Sequence, residues 1–293
     1  MNFPEPHIQP PQGSHTHTAI LLHGRGSDGS EFAEDFFSST TSNSQNLADC
    51  LPTWRWVFPT SRERWDSRFQ EDMCAWFEAY SLTDIQELQE LQIEGLRESV
   101  SYILTLLESE IELLDGKISH LYLGGISQGM ATALWTLICA DGRLPGQLGG
   151  FLGFCGWLPF AHQLEDLLLP SNEAKSLIPH PKGARIQSLV SHLFADTIGK
   201  PEVPQGDESG DTTLLSIPVF LSHGTDDAWV PVQLGRQAGR ILRQISVDVE
   251  WHEFEGAEGD GHWIKEPEGF DQIVGFVERA TQRIGKDPAK VRE

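Results

Sequence analysis

A serine flanked by glycines is the first part of this chain that could do chemistry. Residues 124–129 read Gly-Gly-Ile-Ser-Gln-Gly, between the apolar run 118–123 and the helix-forming stretch 130–140. A strand, a G-x-S-x-G turn and a helix in this order predict a nucleophile elbow, a tight and strained turn that presents a serine hydroxyl above a sheet. Ser127 is therefore the candidate nucleophile.

A serine hydroxyl is a weak nucleophile, and it needs a base that is itself oriented by a carboxylate. Downstream of Ser127, residues 217–231 read as a strand that runs into a loop carrying Asp226 and Asp227. His262 follows in a glycine-rich loop between the last strand and the last helix. The order serine, aspartate, histidine is that of α/β-hydrolases. On chemistry alone, both aspartates are candidates for the acid.

The remaining histidines have simpler interpretations than a catalytic role. His252 competes with His262 for the role of base, but it lies inside an alternating strand, which favours a surface or core position. His15 and His17 form an H-x-H pair without a third ligand, so we predict no metal site there. We expect His23 to brace the glycine-rich turn that follows it through side-chain hydrogen bonds.

A glycine-rich turn after an early strand could supply the electrophilic half of the site. Residues 23–29 read His-Gly-Arg-Gly-Ser-Asp-Gly, and such a turn can aim backbone N–H groups at a developing oxyanion. The second donor would be the N–H of Gln128, the residue after the nucleophile. Because backbone groups are used, the shape of the loop matters more than its side chains.

The pattern of apolar residues indicates the elements that must position these groups. Short apolar strands alternate with helices, which predicts one doubly wound α/β domain with a mostly parallel sheet and helices on both faces. The predicted strands are 18–22, 54–58, 118–123, 148–154, 217–222 and 247–254, and the predicted helices are 84–114 with a break near Gly95, 130–140 and 270–284.

The domain boundaries follow from composition. Residues 1–14 are rich in proline and glutamine and predict a flexible lead-in to a single domain that spans 15–293. At about 161–212 the periodic pattern gives way to sequence containing Pro, Ser, Gly and Asp, which predicts an irregular insertion over the carboxyl ends of the strands.

Charge and cysteine usage exclude several classes of function. The formal net charge is −22, without a basic cluster, so a nucleic-acid partner is not expected. No apolar run reaches the roughly 20 residues that span a bilayer, so we expect no stable membrane insertion. Neither a secretory signal nor a paired-cysteine pattern is visible; Cys139 and Cys155 read as buried thiols rather than disulfide partners. A cytoplasmic location is the simplest prediction.

With these motifs in place, the chain resembles the acyl-protein thioesterase/carboxylesterase family of α/β-hydrolases, also described as the phospholipase/carboxylesterase family. The resemblance implies Ser127 as nucleophile, Asp227 as acid by the pattern H-G-x-x-D-x-x-V-P, and His262 as base. It places the oxyanion donors on the backbone of Arg25 and Gln128. It covers most of 18–284 and depends on motifs at 22–29, 76–78, 123–129, 156–159, 223–231 and 261–262.

Three positions depart from the family pattern. Arg25 stands where leucine is usual, Met130 stands where glycine is usual, and Trp229 replaces a smaller apolar residue. We expect all three to border the acyl or leaving-group side of the cleft. Trp76 and Trp157 lie in family motifs and complete the predicted substrate cleft.

The resulting hypothesis is a cofactor-free serine hydrolase that cleaves carboxylic esters or thioesters through an acyl-enzyme. Its substrate would be a small-molecule or lipid ester or thioester, including an S-acylated protein. Two other hypotheses stay open, a peptidase or lactone hydrolase with the same triad and a non-catalytic member that binds acyl ligands. The sequence does not predict the acyl chain length or the oligomeric state.

Overall fold

A mostly parallel sheet forms the centre of the fold in the computed structural model, which describes residues 3–168, 182–198, 217–245 and 248–284. Its strand order is β1-β3-β2-β6-β7-β8-β9, and every neighbouring pair is parallel except β1 with β3. A separate antiparallel hairpin is formed by β4 and β5. The strands are β1 (His7–Gln9), β2 (His17–Leu22), β3 (Trp54–Phe58), β4 (Arg62–Asp66), β5 (Glu71–Ala75), β6 (Leu121–Ile126), β7 (Gly150–Phe154), β8 (Pro218–Gly224) and β9 (Asp248–Phe254).

Helices cover both faces of this sheet. Successive side chains of a strand point to opposite faces. In β2, Ala19 and Leu21 accordingly join one hydrophobic core, while Ile20 and Leu22 join the other. The first core is shared by α1 (Gly29–Ser38), α2 (Leu47–Cys50) and α8 (Glu268–Ile284); the second is shared by α3 (Gln92–Leu113), α4 (Gln128–Ala140), α5 (Ala161–Leu168), α6 (Lys182–Ile198) and α7 (Val232–Gln244). The predicted α/β architecture is confirmed.

The parallel arrangement brings the predicted functional loops together. The segments after β2, β6, β8 and β9 all leave the sheet at the carboxyl ends of the strands. In open α/β sheets this edge is where ligands bind, because the loops of several strands meet there. Residues separated by more than a hundred positions in the sequence therefore converge on one site.

The predicted lead-in at 1–14 contains a strand. His7–Gln9 pairs antiparallel with β3, and the Phe3 ring stacks on Tyr102 with 4.1 Å between ring centroids. The prolines that suggested a flexible segment flank β1 at positions 4, 6, 10 and 11. Proline lacks a backbone N–H, and it is tolerated at an edge strand because one side of that strand forms no hydrogen bonds to a neighbouring strand. β1 is such an edge strand.

The long amphipathic helix and the elbow strand both begin later than predicted. α3 starts at Gln92 rather than at 84, after turns and a short 3₁₀ segment, and it continues through Gly95 without a break. A Cβ at Gly95 would lie 2.7 Å from Phe77 Cα, so this glycine permits close packing. Residues 118–120 form a 3₁₀ turn, and β6 occupies 121–126, so the strand itself leads into the elbow.

The insertion predicted as irregular at about 161–212 contains α5 and α6 within the described residues. Both helices bury apolar side chains against the core, among them Leu164 and Phe194. The remainder of that insertion lies outside the described residues. The hairpin of β4 and β5 was not predicted, because its strands alternate charged and apolar residues too irregularly to show a clear period.

Candidate active site

Ser127 occupies a strained turn between β6 and α4. Its backbone has φ 56° and ψ −123°, and its N–H donates to Phe154 O at 2.9 Å. A positive φ is unfavourable for a residue with a side chain, so surrounding structure must impose it. The flanking glycines allow this, since a Cβ on Gly125 or Gly129 would lie 2.6 or 2.2 Å from Leu22 O. The structure therefore has the backbone form of a nucleophile elbow.

Asp227 and His262 meet beside this turn. His262 Nδ1 lies 2.7 Å from Asp227 Oδ2, and the aspartate side chain is completely buried whereas 18% of the histidine side chain is exposed. Asp227 Oδ1 accepts hydrogen bonds from the N–H groups of Trp229 and Val230 at 2.9 and 2.8 Å. The carboxylate is held rigidly while one edge of the imidazole stays accessible.

The pKa of Asp227 is determined by two opposing effects. Burial alone would raise it, but hydrogen bonds from His223 and His262, together with the nearby imidazole charge, outweigh burial and hold the pKa below its ordinary value. The side chain therefore stays a carboxylate throughout the neutral range. An ionised acceptor of this kind fixes a proton on His262 Nδ1 and leaves Nε2 free to accept one.

Asp226 has a different role from its neighbour. It is exposed, and its Oδ2 accepts from Gly256 N–H at 2.8 Å, at the start of the loop that carries His262. Gly261 packs so closely that a Cβ there would lie 2.9 Å from Asp226 Oδ1, and its φ of +80° also favours glycine. One of the adjacent aspartates contacts the histidine ring, and the other holds the histidine's loop.

The turn after β2 is braced by His23, which is fully buried. Its Nδ1–H donates to Gly24 O at 2.6 Å, its Nε2 accepts from Ser61 N–H at 3.0 Å, and its carbonyl accepts from Trp76 Nε1–H at 2.9 Å. The two bonds made by the ring are side-chain hydrogen bonds of the kind predicted for this residue. They place Gly24 next to the elbow, where a Cβ would lie 3.9 Å from Ser127 Oγ.

Two backbone N–H groups are available on either side of the serine. Gln128 is the first residue of α4, where an N–H has no acceptor within the helix. Among the described residues, the N–H groups of Arg25 and Gln128 donate to no acceptor. The Gln128 side chain is fixed, because its Oε1 accepts from Trp76 N–H and its Nε2 donates to Phe77 O, both at 2.8 Å.

A cleft of about 440 Å³ opens over these groups. Ser127, His262, Arg25 and Gln128 all contribute to its wall, together with Gly24, Gly26, Ser27, Glu31, Phe32, Asp35, Ala79, Leu82, Ile126, Trp157, Trp229, Val230 and Trp263. The wall combines aromatic and aliphatic surface with a small number of polar groups, as is usual for small-molecule sites. No hydrogen bond joins Ser127 to His262 among the described contacts; such bonds often tighten only when substrate is bound.

The phospholipase/carboxylesterase family matches residues 4–178, more than half of the chain. The chain belongs to this family. The match includes the elbow, and one relative extends the similarity over the segment that carries Asp227 and His262. Acyl-protein thioesterase 1 of Gibberella zeae is 26% identical over 279 residues, covering 94% of each chain. Acyl-protein thioesterase 1 of Yarrowia lipolytica is 24% identical over 84% of this chain and 86% of its own length.

Solved structures agree with the fold of this phospholipase/carboxylesterase family member. The crystal structure of Zea mays acyl-protein thioesterase 2 gives a TM-score of 0.61 at 23% identity, covering 94% of this chain and 98% of that one. The crystal structure of esterase PE8 gives the same TM-score and coverage at 20% identity. The predicted family and the α/β-hydrolase fold are confirmed, and with them the predicted class of hydrolase acting on esters or thioesters.

The family member's cleft differs from the predicted one at two positions. Trp157 and Trp229 line it, and 60% of Trp229 is exposed. Trp76 and Met130, in contrast, are buried and lie outside the lining. Trp76 is used to brace the turn after β2, and a Cβ on Gly156 would lie 2.7 Å from Met130 Sδ, so methionine fills core space there.

The side chain of Arg25 is held mainly by contacts with the β4–β5 hairpin. Its Nη1 donates to Asp66 Oδ2 at 3.2 Å and to Ala79 O at 3.1 Å, and the guanidinium lies 5.1 Å from the Phe69 ring centroid. The hairpin also accepts a hydrogen bond from Gly26 N–H through Cys74 O at 2.8 Å. Arginine at this position therefore ties the turn after β2 to β4 and β5.

Sequence reasoning missed several residues of the site. Phe32 and Asp35 enter the cleft from α1, and Trp263 enters beside His262. Of these, only Trp263 could have been predicted from the sequence, because it directly follows the predicted base.

Cys155 Sγ lies within 4.8 Å of donor atoms of Asp227 and His262, and these three residues are the one group among the described residues that could hold a metal ion. Those two residues already bind each other, and the thiol contacts Trp263 O at 3.7 Å.

Folding stability should fall in mild acid because of His23. Burial lowers its pKa from 6.5 to about 4, so the unfolded chain binds a proton in this window while the folded chain does not. Stability is complete above pH 6.5 and is lost as pH falls towards 4, by about 3 kcal/mol for this residue. The free energy of unfolding in urea, measured from pH 7 to 4.5, checks this. In His23→Asn the free energy of unfolding should depend less on pH than in the wild type. Equal slopes against pH in the two proteins would contradict the assignment. His17, whose pKa burial also lowers to about 4, contributes equally to both proteins.

Proposed function

We propose that this chain is a serine esterase or thioesterase that works through an acyl-enzyme on Ser127. The observation that carries the proposal is the 2.7 Å contact between His262 and the buried Asp227 in the same cleft as the strained elbow. A nucleophile, a base and an orienting carboxylate in contact with one another act together in serine hydrolases of unrelated folds. All three roles are supplied by the chain's own side chains.

The first half of the reaction is acyl transfer to the enzyme. His262 Nε2 takes the proton of Ser127 as Oγ attacks the acyl carbonyl carbon, and the carbonyl oxygen becomes an oxyanion. The N–H groups of Arg25 and Gln128 stabilise that charge. When the tetrahedral intermediate collapses, the bond to the alcohol or thiol breaks, and the leaving group takes the proton from His262.

The second half releases the acid. His262 Nε2 removes a proton from water as the water oxygen attacks the acyl-enzyme, and the N–H groups stabilise a second oxyanion. Collapse then breaks the bond to Ser127 Oγ, which recovers the proton from His262. Asp227 keeps the imidazole in one tautomer through both halves and stabilises the imidazolium each time it forms.

The substrate class follows from the cleft and the relatives together. Trp157, Leu82 and Phe32 offer apolar surface for an acyl chain, and Trp229 stands exposed at the cleft. The relatives' names, acyl-protein thioesterase 1, support a thioester of an acylated protein as the substrate. No helix among the described residues is long and apolar enough to cross a membrane. The cytoplasmic location stays a prediction.

A fluorophosphonate probe tests this proposal directly. We expect one covalent adduct, located on Ser127 by peptide mapping, that forms at the same rate as esterase activity on p-nitrophenyl butyrate is lost. Prior acylation with that ester should slow labelling. A panel of acyl-thioesters, matching oxygen esters and peptide amides of increasing chain length then defines the preferred leaving group and acyl length.

The other hypotheses give different outcomes in the same experiment. Turnover of peptide amides faster than the matched esters would indicate a peptidase. Absence of an adduct, combined with saturable binding of a fluorescent fatty acid, would indicate a non-catalytic acyl-binding protein. An adduct on a residue other than Ser127 would refute the proposed nucleophile.

A further inference from the structure

A second histidine contacts the proposed triad and does not line the cleft. His223 lies near the end of β8, four residues before Asp227, and only 1% of it is exposed. Its Nε2 lies 2.9 Å from Val230 O and 3.2 Å from Asp227 Oδ2. Both neighbours are acceptors, so the hydrogen-bond network assigns the proton to Nε2, where it is shared between them.

The ring is held in this orientation by its other neighbours. Nδ1 is buried without a hydrogen-bond partner, and Gly235 of α7 packs against it so closely that a Cβ there would lie 2.4 Å away. The Trp251 ring lies 6.3 Å from the imidazole centroid. Turning the ring would bury the N–H where no acceptor exists, which is costly. The glycine in α7 thus makes room for a histidine aimed at the loop after β8.

The contact completes the set of bonds around one carboxylate. Oδ1 of Asp227 accepts two backbone N–H groups, and Oδ2 accepts from His262 and from His223. A carboxylate whose oxygens are each bonded twice cannot rotate, and each donor takes up part of its charge. His223 therefore shares the oxygen that orients the proposed base.

We propose that His223 is a positioning residue, whose Nε2–H fixes the Asp227 carboxylate and moderates its pull on His262. The inference rests on the proposed function, because it concerns the same triad. Without that donor, the negative charge on Oδ2 is less dispersed and stabilises the imidazolium of His262 more strongly. The carboxylate also gains freedom to turn.

The expected effects separate this role from simple structural support. His223→Leu should lower kcat by about 10- to 100-fold, the usual effect of losing a hydrogen bond to a charged group. KM should change less than twofold, since His223 does not line the cleft. The acidic limb of the kcat/KM profile should move to higher pH. His223→Gln, which keeps a side-chain N–H, should recover most of kcat and the original profile.

The surrounding charges and a matched control define the comparison. The other titratable groups near the pair are Cys155, Asp226 and Glu253, and Glu253 is bound by Arg236 of α7. All of them stay unchanged in the variants. His252→Leu serves as control, because that histidine lies on the neighbouring strand, stacks on Phe220 and does not contact the triad. It should leave both kcat and the pH profile unchanged.

A measurement on the wild-type protein tests the inference without turnover. Nitrogen NMR of labelled histidine side chains should show His223 protonated on Nε2 and a strongly downfield proton on His262 Nδ1, and His223→Leu should shift that proton. A His223 protonated on Nδ1 would overturn the inference even if the leucine variant fails to fold. A leucine variant in which neither the chemical shift of the His262 Nδ1 proton nor the pH profile of kcat/KM changes would also overturn it. Failure of the proposed function is distinct: ester turnover and Ser127 labelling would then be absent in the wild type as well.

Discussion

Replacement of Ser127 by alanine should reduce ester hydrolysis by roughly 10⁴- to 10⁶-fold, the effect of removing the nucleophile from a serine hydrolase. Alanine lacks only Oγ, so the strained backbone with φ 56° and the bond from residue 127 N–H to Phe154 O can be kept. The activity that remains would come from water attack on substrate held by the Arg25 and Gln128 N–H groups. Initial rates on p-nitrophenyl butyrate, with active sites titrated in the wild type, measure the loss.

Ser27→Ala is the matched control for this prediction. Ser27 also lines the cleft, and its hydroxyl donates only to the adjacent Asp28 O at 3.4 Å, so its removal should change kcat/KM by less than about threefold. Fluorophosphonate should label the Ser27 variant and leave the Ser127 variant unlabelled. If the Ser127 variant kept more than a tenth of wild-type activity, another residue would be the nucleophile.

Replacement of Asp227 by asparagine should reduce kcat by about 10⁴-fold, although only one oxygen becomes nitrogen. The backbone N–H groups of Trp229 and Val230 require an oxygen at the Oδ1 position, which places the new NH₂ group at Oδ2. That group is a donor facing the N–H of His262 and the N–H of His223. His262 must then move its proton to Nε2, where it can no longer accept one from Ser127.

Asp226→Asn provides an isosteric control one residue away. Its carboxylate accepts from Gly256 N–H, and an asparagine oxygen can do the same, so kcat should fall by less than about threefold. Rates for both variants across pH 6 to 9, with circular dichroism to verify folding, make the comparison. Equal losses in the two variants, or the larger loss in Asp226→Asn, would contradict the assignment of Asp227 as the orienting acid.

The hairpin and the helix starts show where sequence periodicity is insufficient. Whether residues 84–91 continue a helix depends on packing that begins only where Gly95 meets Phe77. β4 and β5 are stabilised by contacts far away in sequence, including the ion pairs that Arg62 and Arg64 form with Glu98 of α3. The edge strand β1 likewise forms by pairing with the side of β3 that faces away from β2. Such interactions are not encoded in a local pattern.

The sequence by itself determined where the candidate catalytic residues lie along the chain and in what order. The glycines around Ser127, the aspartates after the strand 217–222 and His262 before the last helix follow from short-range requirements: a tight turn needs small residues, and a parallel strand needs an apolar run that ends in a loop. These requirements act within a few residues, so a linear pattern records them. The resemblance to a known family then selected Asp227.

Only the tertiary structure decided which side chains meet. Asp226 and Asp227 are chemically identical, and the direction of each carboxylate depends on the turn after β8 and on the histidine loop packed against it. Trp76 and Met130 are placed in the core, and His223 beside the carboxylate, by contacts between strands and helices that are distant in sequence. Side-chain direction is a property of packing in three dimensions, because each residue's neighbours are supplied by several elements at once.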